Sequence, residues 1–95
     1  MDLNTVKSAL IDAIEEVQTM GGYSMPSGVS DGFCPMRDLD GFDSFNVLEV
    51  GMGVSARLGY EISGEIKMFG SANNPRSLDE IADEICKQIN VAQEA

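Results

Sequence analysis

Apolar residues recur at helical spacing in three stretches of this 95-residue chain, and no stretch alternates at strand spacing. Leu3, Val6, Leu10, Ile14 and Val17 mark one amphipathic helix over about 3–20, with Asp2 placed to cap it and Gly21-Gly22 to stop it. A second helix runs from about 43 to 58 and ends at Gly59. Leu78, Ile81, Ile85 and Ile89 carry the third, which Ser77-Leu78-Asp79-Glu80 opens as a capping box. Ile66, Met68 and Phe69 predict a short helical turn before Gly70, and Asn73-Asn74-Pro75 marks a loop after it. Residues 21–40 are rich in Gly, Ser, Pro and Asp, with Tyr23, Met25, Val29, Phe33 and Met36 as scattered apolar anchors. They read as a long ordered first loop. The expectation is an all-α fold of three main helices plus a short one, in a single domain spanning 1–95.

Charge narrows the partners. Sixteen acids against six bases give a net charge of −10, which repels nucleic acid and anionic membrane alike. Acidity that serves solubility alone and acidity that selects positively charged partners are equally consistent with these counts. The chain has two cysteines, Cys34 and Cys86, without CxxC spacing, and no histidine to complete a zinc site. Two reduced thiols are expected rather than a disulfide scaffold, with Cys86 packed at the edge of the last helix. No signal-like or membrane-spanning apolar run is present, so the expected compartment is the cytoplasm.

The second helix carries two apolar stripes at about 100° per residue. Val47, Val50, Val54 and Leu58 lie on one side; Phe45, Leu48 and Met52 lie nearly opposite, with Glu49 beside them. The longer, β-branched stripe is the better core face. The other then flanks Ser44 on the surface as an apolar docking patch with a charged edge. The alternative buries both stripes, one of them under the long loop, with Leu48 the first to be drawn in.

Asp43 is placed to cap this helix, and Ser44 to occupy its first turn, where the positive end of the dipole favours a phosphate or phosphodiester. Serine catalysis is not expected, because no histidine can serve as base, and Phe42 and Asn46 stand where a nucleophile elbow needs glycines. Asp38, Asp40, Gly41 and Asp43 suggest a calcium loop, but that register puts Met36 and Val47 where acids are required, so no metal is expected. Tyr60 and Phe69 read as core residues.

The run Asp38-Leu39-Asp40-Gly41-Phe42-Asp43-Ser44-Phe45-Asn46-Val47-Leu48-Glu49-Val50 resembles the phosphopantetheine-attachment region of acyl carrier proteins. That family has an aspartate-serine-leucine triplet, a glutamate five residues after the serine, and a Gly-Ile/Tyr-Glu-Ile ending. Glu49 and Leu58-Gly59-Tyr60-Glu61-Ile62 stand at the matching places. The likeness is good from about Leu39 to Glu65 and looser over the flanking helices.

The resemblance implies a monomeric carrier without catalytic machinery of its own, on an acyl-carrier-like bundle. A phosphopantetheinyl transferase would join 4′-phosphopantetheine from coenzyme A to Ser44, and the arm's thiol would hold acyl groups as thioesters for acyl-transferring or acyl-modifying enzymes. It further implies that Asp43 caps the helix and faces the transferase. Glu49 would pair with a partner's basic residue, and Phe45, Leu48 and Met52 would supply docking contacts. Val50, Val54, Leu58 and Ile62 would line the region that shelters an acyl chain.

Three departures from the family point to a specialised pathway, in fatty-acid, lipid or polyketide-type synthesis. Gly51 and Gly53 interrupt the helix, each costing about 0.5–1 kcal/mol against alanine. They imply either a close approach or a softer helix. Asn46 replaces an acid, and Ser55-Ala56-Arg57 replaces a run of glutamates. The competing expectation is an unmodified helical interaction module on the same fold. A small enzyme is the weakest of the three.

Overall fold

The computed structural model describes residues 1–23, 32–71 and 73–94. Met25 and Val29, two of the anchors expected in the first loop, lie outside the described residues. Among the described residues there are five helices and no strand: α1 (Leu3–Met20), α2 (Pro35–Asp38), α3 (Ser44–Leu58), α4 (Glu65–Phe69) and α5 (Leu78–Glu94).

Local chemistry sets each boundary. Asp2 Oδ1 accepts from the Thr5 N–H at 2.8 Å and opens α1. Gly22, at φ +84°, and the Tyr23 N–H bonded to Gln18 O at 2.8 Å close it. Ser77 and Glu80 form the expected capping box before α5, with reciprocal bonds of 3.0 and 3.2 Å. The turn of helix α2 falls within the stretch whose composition reads as loop. Pro35 starts it, and Asp38 Oδ2 accepts from the Cys34 N–H at 2.9 Å. One turn is too short to show a periodicity.

Helix α1 packs against both α3 and α5, while α4 bridges α3 and α5. Val6, Leu10 and Ile14 meet Val47, Val50 and Val54, and Ile81, Ile85 and Ile89 complete one apolar cluster. Phe42 and Phe69 stack within it, with centroids 6.1 Å apart. Tyr60 sits half-buried at the edge of the cluster, where its hydroxyl accepts from Gln93 Nε2 at 3.0 Å. Both cysteines are buried and free.

Two buried or half-buried links fix the segment that leads into α3. Gln18, fully buried, donates from Nε2 to Asp40 O at 3.0 Å, satisfying its amide inside the core. The Leu78 N–H donates to Phe33 O at 2.8 Å and ties the first loop to the head of α5.

Candidate functional site

Helix α3 begins where its sequence says it must. Asp43 Oδ1 accepts from the Phe45 and Asn46 N–H groups at 3.0 and 3.1 Å, and Asn46 Oδ1 accepts from the Asp43 N–H at 3.1 Å. This reciprocal box accounts for the Asn46 departure from the family pattern: Asn46 closes the cap, a task an acid at that place would share with more charge. Ser44 is the first residue of the helix and is exposed. The two N–H groups that follow it, of Phe45 and Asn46, are taken by Asp43, so the first turn offers a phosphate chiefly its dipole.

The two stripes separate as the longer one required. Val47, Val50 and Val54 are buried and Leu58 is half-buried. On the opposite side Phe45 and Met52 are 69% and 68% exposed. Leu48, the residue expected to be drawn in first, is the least exposed of the three at 41% but stays outside the core cluster. Glu49 is half-buried beside them. Both stripes are therefore not buried, and the apolar face follows directly from Ser44 at i, i+1, i+4 and i+8 along one helix.

The sequence did not reveal that α4 extends this face. Met68 and Phe69 turn inward, which leaves Ile66 50% exposed. Leu48, Gly64, Glu65, Ile66 and Lys67 together line a shallow groove of about 490 Å³ between α3 and α4. The signal was present in Ile66-Lys67-Met68-Phe69, but five residues cannot say which side faces in until α3 and α5 are in place.

Gly51 and Gly53 are explained by close approach. A Cβ at Gly51 would stand 2.5 Å from Glu65 Cγ, so the glycine gives the α4 side chain room to lie across α3. A Cβ at Gly53 would stand 3.3 Å from Ala13 Cβ, where α1 crosses α3. The Ser55-Ala56-Arg57 departure is also structural. Ser55 Oγ accepts from the Ile62 N–H at 3.2 Å, while Arg57 donates to Gly53 O at 3.2 Å and pairs with Glu16 of α1.

Of the four residues implied to line an acyl shelter, Val50, Val54 and Ile62 are buried in the core cluster and Leu58 packs half-buried against it. The acids before α3 remain apart from one another in role. Asp38 pairs with Arg37 at 2.8 Å, and that pairing together with the Cys34 N–H lowers its carboxyl to about 2. No group of three or more metal-ligating side chains gathers among the described residues. No helix of the described residues is long and apolar enough to cross a membrane.

Comparison with known proteins adds no relative: no family model, curated protein or solved structure matches this chain.

Proposed function

We propose that this chain is an acyl carrier, with 4′-phosphopantetheine joined through a phosphodiester to Ser44. The observation that carries the reading is the exposed Ser44 at the head of a firmly capped helix, next to an exposed apolar face. The residue pattern from Leu39 to Glu65, which resembles the attachment region of acyl carrier proteins, supports it further.

The residues present fit such a group. Ser44 is reachable, and a covalent bond needs no binding pocket. The capping box holds the backbone at the head of the helix, with Asp43 Oδ1 accepting from the two N–H groups that follow Ser44. Bound there, the arm would supply a terminal thiol that carries an acyl group as a thioester. Phe45, Leu48 and Met52 then give partner enzymes an apolar surface within two turns of the attachment point, and Glu49 gives them a charge to pair with. The transferase and the acyl-handling enzymes are the partners; the carrier contributes position and no catalysis. The cytoplasm, where coenzyme A is at hand, is the compartment this reading requires.

The second reading is an unmodified interaction module. It is favoured by the closure of the helix cap, which leaves the Phe45 and Asn46 N–H groups unavailable to a phosphate. Incubation with coenzyme A and a broad-specificity phosphopantetheinyl transferase separates the two. The carrier gains one phosphopantetheine by intact mass and Ser44→Ala gains none. A folded wild type that stays unmodified supports the module, whose binding would survive Ser44→Ala.

A further inference from the structure

We propose that the face formed by Phe45, Leu48, Met52 and Ile66 docks a partner protein that presents an apolar anchor flanked by one acidic and one basic side chain. Lys67 selects the acidic one. The inference rests on the carrier reading and deepens it, because it gives the docking face a charge pattern of its own.

The chain has six cations. Lys7 pairs with Asp79 at 2.8 Å, Arg37 with Asp38 at 2.8 Å, Arg76 with Glu80 at 3.1 Å, Lys87 with Asp83 at 3.3 Å, and Arg57 with Glu16. Lys67 pairs with no acid among the described residues, although the chain has 16 acids to offer. It is exposed on α4 and lines the same groove as Leu48 and Ile66. Without an acid partner among the described residues, Lys67 is a positive point beside an exposed apolar groove on a chain of net charge −10.

Across that groove the charge changes sign. Glu49 lies beside Leu48 on α3, while Glu65, on α4 like Lys67, lays its side chain over Gly51. The surface is thus an apolar strip with the Glu49 carboxylate on α3 and, on α4, the Lys67 ammonium two residues from the Glu65 carboxylate. A partner with only basic residues around its anchor would leave Lys67 facing like charge at close range. An anionic membrane would meet the net charge of −10. A second copy of the chain would meet that same charge. A protein surface with an apolar side chain for the Leu48–Ile66 groove, a carboxylate for Lys67 and a cation for Glu49 satisfies the groove and both of these charges.

The test uses the intact protein and a designed amphipathic helical peptide with a leucine anchor, one glutamate on the Lys67 side and one arginine on the Glu49 side. Binding is followed by backbone amide shifts at Leu48, Ile66 and Lys67. The expected result is saturable binding that weakens about fivefold in Lys67→Glu and less in Lys67→Met. A peptide with lysine in place of its glutamate recovers the loss against Lys67→Glu, as a coupled pair requires. No binding by the first peptide, equal binding to wild type and Lys67→Glu, or tighter wild-type binding by a peptide with two arginines would overturn the inference. Ser44 loading, read by intact mass on the same variants, keeps the two ideas apart. A Lys67→Glu protein that loads normally but loses the peptide preference upholds both. A wild type that never loads removes the carrier reading while the peptide result still stands on its own.

Discussion

Asp43 holds the head of α3 by one oxygen that accepts two N–H groups, and its own N–H is held in turn by Asn46. Removing a cap of this kind costs about 1 kcal/mol. Asp43→Ala therefore lowers stability in chemical denaturation by about that amount, while Asp43→Asn retains most of it. The loss should fall on the helix head, so amide exchange at Phe45 and Asn46 should quicken first. This much was legible in the sequence, since a capping residue, an exposed serine and an apolar run at fixed offsets define a helix start without help from tertiary contacts. What was not legible is the use of Asn46 as the second half of the box, or of Ser55 Oγ as the acceptor for the Ile62 N–H. Both read as departures from a family pattern until the chain folded back on them.

At the scale of elements, the three long helices declared themselves by periodicity, and the one-turn α2 could not. The two glycines of α3 show the same limit. Composition alone leaves a softer helix and a close approach as equal explanations, and only the placement of α4 and α1 decides. Gly51 is buried under the Glu65 side chain, so Gly51→Val forces α4 away from α3 and destabilises by about 1–3 kcal/mol. Glu65→Ala in the same molecule restores part of that loss, a coupling that thermal and chemical denaturation of the four-member cycle would measure. Additive effects would mean that Gly51 is needed for some other reason. The orientation of α4 also decides the docking face, because turning Met68 and Phe69 inward is what sends Ile66 and Lys67 outward.

For the whole molecule, the acid response has a definite sign. The Arg37 guanidinium and the Cys34 N–H lower the Asp38 carboxyl from 3.8 to about 2, and the caps at Asp2 and Glu80 are lowered in the same direction by their backbone partners. A lowered carboxyl stabilises the fold fully above its unfolded value and loses that contribution as pH falls through the folded one. The Asp38 share is therefore lost between about pH 4 and pH 2. Repulsion among the 16 acids relaxes over the same range, so the comparison is with Asp38→Asn. Melting of wild type and variant should differ at neutral pH and converge near pH 2; a constant gap would assign Asp38 a role other than its charge.

Reduced thiols offer a direct readout of an arm on Ser44. Cys34 and Cys86 are both buried, and burial together with Asp83 raises the Cys86 thiol above its ordinary range. The folded chain as translated should thus show almost no fast-reacting thiol toward Ellman's reagent. After incubation with coenzyme A and a phosphopantetheinyl transferase, followed by removal of free coenzyme A, the wild type should show one fast thiol per chain and Ser44→Ala none. An unchanged thiol count in a folded, transferase-treated wild type would contradict the claim that Ser44 carries the arm.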